Sequence, residues 1–334
     1  MFIIDLLTIS PQKTYSANEY LQKHQTFQGN KLVADEPDYE GVITPSQLRR
    51  MGKSLRMGIG CGIPLLQKHK NVEGIIIGTS EGGLEGCISF LNQIVDYDEG
   101  TLTPTNFIQS TPNAVAGQLA LITGNKNYNI THVNGGLSFE NSLLDAEMLL
   151  EEKPSINVLV GNVEEISEYN FNIDTTAGNF KNETISSDDL IGSNTAGTVA
   201  GEGAAMFILS GTPTKENAIK ILSVETISQP TTHEVEVLCR AVLSKHNLTF
   251  DDIDGVIVGM NGDNRTDYWY ENLIESCFQN QIIFTYKNLV GEYPTSSAFA
   301  LKMAVDMLSG VHYSEQVVLR KGKNNLTNLL IYNQ

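Results

Sequence analysis

The 334-residue sequence predicts an α/β fold with largely parallel sheets, built as two βα halves of similar plan over residues 1–210 and 211–334. Two observations carry this. Short β-branched runs bounded by glycine alternate with longer stretches whose apolar residues recur at helical spacing. The same alternation then starts again after Gly201, so the second half repeats the grammar of the first.

Taken in order, the opening Met1–Ile9 is apolar for nine residues with Asp5 in its middle, has no basic lead-in, and reads as a first strand rather than a signal peptide. Val72–Gly78 has the composition of a strand buried on both faces. Pro112–Leu121 is helical with proline near its start, Tyr128–Val133 returns to strand, Ser142–Leu150 is helical, and Ile156–Val160 is strand again. In the second half, Ala218–Glu225 reads as strand and Glu234–Lys245 as helix. Gly255–Gly259 is strand, Tyr268–Phe278 helix, Ile282–Thr285 strand and Ser296–Leu308 helix, with closing strands near Val317 and Leu329. The polar stretch Asn170–Ala200 reads as a surface excursion of the kind that lies over a site or an interface.

Bulk properties narrow the function. A net charge of −17 disfavours nucleic acid and anionic membranes, which repel such a surface. No apolar run approaches the ~20 residues of a membrane helix, and the cytoplasm is the expected compartment. Cys61, Cys87, Cys239 and Cys277 are scattered without CxxC spacing or a close histidine, so neither a metal site nor a disulfide framework is expected, and no cofactor motif occurs. Gly58-Ile59-Gly60-Cys61-Gly62 is not a dinucleotide loop: GxGxxG is absent, and the basic Arg49–Arg56 stretch before it is helical, not strand. Close helix packing explains these glycines better.

Several segments, in the right order, resemble the β-ketoacyl synthases of the thiolase superfamily. They are Arg49-Arg50-Met51, Gly78-Thr79-Ser80-Glu81-Gly82-Gly83, Thr111-Pro112-Asn113 with Ala116–Ala120, Gly161-Asn162-Val163-Glu164 and Gly201-Glu202-Gly203-Ala204-Ala205. The resemblance spans nearly the whole chain and implies a layered α-β-α-β-α architecture.

It also implies where a condensing site would lie, and there the sequence departs from the family. The nucleophilic cysteine position, between the third strand and its helix, falls on Gly136. A glycine has no side chain to carry an acyl group. The first family histidine is replaced by Asn261, with Asp267 and Glu271 approximating the acidic pattern downstream. The family lysine remains as Lys287, the second histidine has become Glu292, and the gate loop aligns with Lys321-Gly322-Lys323-Asn324. Lys287 and Glu292 read either as a neutralising pair inside the old pocket, the favoured reading, or as a new acid–base couple. Ser138 lacks a neighbouring base in sequence and reads as a helix N-cap, and Cys87 as a core residue.

The resemblance therefore implies a non-catalytic, chain-length-factor-like subunit of a fatty-acid, polyketide or aryl-polyene pathway. It would pair with a catalytic β-ketoacyl synthase subunit, or with itself, through Asn129–Val133, and would meet acyl carrier protein only indirectly. The alternatives are an enzyme that reuses the pocket around Asn261, Lys287 and Glu292 for acyl transfer or hydrolysis, and a homodimeric acyl-binding module.

Overall fold

The computed structural model describes residues 1–321 and 326–333. Its first sheet contains β1 (Phe2–Ile9), β2 (Val72–Gly78), β3 (Tyr128–His132), β4 (Asn157–Glu164) and β5 (Gly203–Ser210), in the order β1-β5-β4-β2-β3. Strands β2, β3 and β4 are parallel, whereas β5 runs antiparallel to both β4 and β1. The second sheet contains β6 (Gly255–Val258), β7 (Ile282–Thr285), β8 (Val318–Arg320) and β9 (Leu329–Tyr332). Here β6 lies parallel between β7 and β9, and β8 closes the far edge antiparallel to β7.

The helices used below are α1 (Lys53–Lys68), α2 (Leu84–Asp96), α3 (Pro104–Gln109), α4 (Ala114–Thr123), α5 (Ser138–Glu152), α6 (Glu168–Thr176), α7 (Thr232–Lys245), α8 (Tyr268–Cys277), α9 (Lys287–Val290) and α10 (Ser297–Leu308). The expected five layers are present. One apolar cluster joins Leu55, Ile59 and Ile63 of α1 and Val115 and Leu119 of α4 to Ile75 and Ile77 of β2. On the opposite face of the same sheet, Phe139, Leu143 and Leu150 of α5 pack with Ile76 and Val160. Helix α10 lies between the sheets, with Ala298, Leu301 and Val305 in that cluster and Phe299, Ala300 and Met303 among Ile257, Ile282 and Phe284 of the second sheet. Val235 of α7 and Leu273 and Ile274 of α8 cover the outer face of the second sheet.

The glycines of α1 are contact points between helices. A Cβ at Gly58 would stand 2.5 Å from Val115, one at Gly62 would stand 2.6 Å from Leu119, and one at Gly60 would stand 2.4 Å from the Tyr39 ring. Pro64 lies inside α1 and has no N–H to offer the Gly60 carbonyl one turn back. The Tyr15 hydroxyl supplies that bond instead, at 3.2 Å.

The structure corrects four expectations. Helix α1 begins at Lys53, and Arg49 and Arg50 sit in the turn between it and a single helical turn, Pro45–Leu48. No strand of the second sheet forms at 218–225. Residues 219–221 instead lie along β1 of the first sheet, where Ile3 N–H donates to the Ile219 carbonyl and Ile221 N–H to the Met1 carbonyl. Cys87 is only partly buried, because α2 buries none of its residues fully. Finally, 170–200 is more than a surface excursion, since Lys181, Leu190, Thr198 and Val199 are buried within it.

Candidate functional site

The N-termini of the two central helices, α5 and α10, converge at the ends of the strands. Gly78 ends β2 so close to α5 that a Cβ there would meet the Ser138 carbonyl at 2.5 Å. Gly136 lies in the turn Gly135–Leu137 just before α5, exposed, and a Cβ on it would stand 3.7 Å from the Pro294 carbonyl oxygen. The expected nucleophile position thus faces the segment that leads into α10. None of the four cysteines lies on that turn or on the elements that meet it: Cys61 belongs to α1, Cys87 to α2, Cys239 to α7 and Cys277 to α8.

Asn261, Lys287 and Glu292 meet directly. Glu292 Oε2 accepts from Lys287 Nζ at 2.6 Å and from Asn261 Nδ2 at 2.7 Å. Lys287 is 1% exposed, so its ammonium is taken out of water and neutralised by one carboxylate oxygen. The Asn261 turn is held from below by Asp267, whose two oxygens accept the N–H groups of Asn261 and Gly262 at 3.0 and 2.8 Å. Burial pushes the Asp267 carboxyl up, against those two N–H donors and the field of Lys287, which favour its charged form. Glu271 is exposed on α8.

Two further carboxyls lie close by. Glu140, in the first turn of α5, accepts from the Ser297 hydroxyl at the start of α10, while its Oε2 is buried without a hydrogen-bond partner. Burial raises its pKa, opposed by Ser297 and by the field of Lys287. Glu164, at the end of β4, accepts from Ser80 N–H at 2.6 Å, the Thr295 hydroxyl at 3.1 Å and the Thr79 hydroxyl at 3.3 Å. Complete burial pushes it up to about 8 despite these donors. Glu164 closes the motif Gly161-Asn162-Val163-Glu164, which does not mark it as a site residue, and nothing in the sequence marks Glu140, because their burial arises from contacts between distant elements.

Ser138 does not cap α5 in the forward direction. Its hydroxyl accepts from Asn134 N–H at 2.7 Å and donates to the Gly135 carbonyl at 2.8 Å, which ties off the turn holding Gly136. Both bonds go to backbone, so the hydroxyl has no basic partner to activate it. The expected gate residues Gly322, Lys323 and Asn324 lie outside the described residues, and Lys321 follows the edge strand β8. Among the described residues, no cluster of His, Cys, Asp or Glu could hold a metal ion, and no helix is long and apolar enough to cross a membrane.

Five layers, with two helix N-termini meeting at strand ends, define the thiolase-like fold of the ketosynthases. Residues 22–177 match the family model described as the N-terminal domain of β-ketoacyl synthase. Among solved structures, the chain is similar to a ketosynthase (ApeO) in complex with its chain length factor (ApeC) from Xenorhabdus doucetiae. That match has a TM-score of 0.72 and 14% identity and covers 92% of this chain and 84% of that one. The ishigamide ketosynthase/chain length factor matches at 0.71 and 13%, covering 92% and 86%. A β-ketoacyl synthase from Burkholderia phymatum STM815 matches at 0.68 and 14%, covering 91% and 86%. No curated protein matches the chain. Likeness at this level of identity establishes the fold.

Proposed function

We propose that the chain is a non-catalytic, chain-length-factor-like subunit that pairs with a catalytic β-ketoacyl synthase. The observation that carries this reading is the closed triad at the candidate site. Glu292 spends one oxygen on Lys287 and Asn261 together, Lys287 is sealed from solvent, and Gly136 offers no atom for acylation. A condensing site needs a nucleophile and donors directed at the charge that develops on the substrate oxygen. Here the donors are directed at a carboxylate of the chain itself.

The assembly part rests on an open edge. β3 is the outer strand of its sheet. The His132 carbonyl points inward and accepts Thr79 N–H, so alternation along the strand turns the backbone groups of Asn129 and Thr131 outward. Apolar residues flank that edge: Leu121 is 74% exposed, and Tyr128, Val133 and Leu137 are also exposed. Unpaired strand edges beside apolar surface suit continuation of the sheet into a second subunit. Two of the solved structures similar to this chain pair a ketosynthase with a chain length factor. Acyl carrier protein would then dock on the partner.

The test is co-expression with an intact synthase, followed by intact-mass analysis of both chains after incubation with acyl and malonyl carrier-protein thioesters. The expected outcome is a heterodimer with acyl mass only on the partner. An acyl adduct on any residue of this chain under turnover would overturn the non-catalytic reading.

A further inference from the structure

Lys181 is 1% exposed, and among the described residues no carboxylate lies within ion-pair distance of it. Its three N–H bonds go to neutral oxygens: the Thr195 carbonyl at 3.1 Å, the Thr195 hydroxyl at 2.8 Å and the Gly262 carbonyl at 3.1 Å. Two of these acceptors belong to the segment 178–200, and the third belongs to the turn that carries Asn261. The Thr195 hydroxyl in turn donates to Glu183 Oε1 at 2.9 Å, which leaves its lone pairs for the ammonium. Burying an ammonium without an anion is costly, so a fold that keeps one there must gain from the links it makes.

The same segment grips the site at other points. The Thr198 hydroxyl donates to the Asn261 carbonyl at 2.6 Å, and Asn264 N–H donates to the Thr195 carbonyl at 3.3 Å. Glu292 N–H donates to the Val199 carbonyl at 2.7 Å, and Gly201 N–H donates to the Glu292 carbonyl at 2.9 Å. Gly262 has φ +78°, and a Cβ on it would stand 2.1 Å from the Leu190 carbonyl, so the strap lies directly on the turn. Asn261 and Glu292 are therefore both pinned to one strap.

We infer that residues 178–200 form a cover latched over the Asn261 turn, and that the Lys181 ammonium is the latch, a tethered cation filling a three-oxygen cage shared by cover and site. The cover holds Asn261 and Glu292 in their bonded arrangement whether or not the site has any catalytic role. Glu183, Asp263, Asp267 and Arg265 face Lys181 through space, the first three favouring its charge and the last opposing it.

The test is amide hydrogen exchange on the full chain carrying Lys181→Ala. Truncation to alanine removes an n-propylammonium group, so the variant is measured with n-propylammonium chloride and with tetramethylammonium chloride at equal ionic strength. The expected result is a loss of protection of roughly tenfold or more within 178–200 and 259–265 only. It should be restored by n-propylammonium and not by the quaternary ion, which has no N–H. Unchanged exchange in 259–265, loosening spread over the whole chain, or no rescue would each overturn the latch. If Lys181→Ala does not fold, Thr195→Ala keeps the cation and removes one acceptor. Loosening confined to the same two segments supports the latch, and native exchange there refutes it.

Discussion

Replacing Glu292 by glutamine keeps the shape of the side chain and an oxygen for Asn261, but leaves the Lys287 ammonium with no carboxylate in ion-pair contact. The lysine side chain is 2% exposed and the glutamate side chain 24%. Breaking a fully buried ion pair by removing one partner costs about 3–5 kcal/mol. Because a quarter of the Glu292 side chain reaches water, which can partly solvate the ammonium in the variant, the lower part of the scale applies, about 2–3 kcal/mol. The double replacement Lys287→Met with Glu292→Gln removes both charges, preserves the Asn261 bond and fills the lysine channel with an unbranched apolar chain. It should cost less than the single change, leaving a coupling energy of at least about 1 kcal/mol in the cycle. Equilibrium urea unfolding of the wild type, both single variants and the double variant measures this directly. If the double variant loses the sum of the two single losses, Lys287 and Glu292 do not neutralise each other, and the closed-site argument fails with them.

Glu164 gives the chain a pH-dependent stability of defined sign. Its folded pKa of about 8 lies above the reference value of 4.5, so between these values the folded state holds a proton that the unfolded state has released. Stability should then fall as pH rises through that window, by up to ~1.4 kcal/mol per unit, and Glu164→Gln should remove this component of the slope in denaturation midpoints compared at pH 6 and 8. A Cβ at Gly201 would stand 2.0 Å from the Val290 carbonyl oxygen, so Gly201→Ala should cost about 3 kcal/mol, the top of the usual range for overpacking. A Cβ at Gly117, mid-helix in α4, meets nothing within 4 Å, and Gly117→Ala should stabilise by about 0.5–1 kcal/mol in the same assay. Thr131→Pro removes an outward N–H from the open edge of β3, and should convert the dimer expected for the chain expressed alone into a monomer by light scattering. A wild-type monomer at micromolar concentration would contradict the assembly.

How much of this was legible in the sequence differs between elements. Val72–Gly78, Ile282–Thr285 and Ser296–Leu308 are local signals, because strand and helix periodicity is written in consecutive residues, and all three formed close to where the pattern put them. The sequence singled out Asn261, Lys287 and Glu292 and favoured a neutralising Lys287–Glu292 pair, two residues of one short segment, but it did not show that Asn261, from a separate segment, shares the same carboxylate oxygen. Ala218–Glu225 carries strand-like residues, yet what a strand pairs with is decided by the edge available to it, here β1 of the other sheet. The polar composition of Asn170–Ala200 suggested a surface excursion, whereas Lys181, Leu190, Thr198 and Val199 within it are buried and the segment bonds to the Asn261 turn and to Glu292. By itself, then, the sequence determined the alternation of elements, the layered fold class and the absence of a nucleophile at Gly136. Only the tertiary structure decided that Asn261 joins Lys287 on one oxygen of Glu292, that burial raises the carboxyls of Glu140 and Glu164, and that Lys181 is held by three neutral oxygens. The physical reason is that burial and long-range hydrogen bonds depend on which distant surfaces are pressed together, and no window of consecutive residues contains that information.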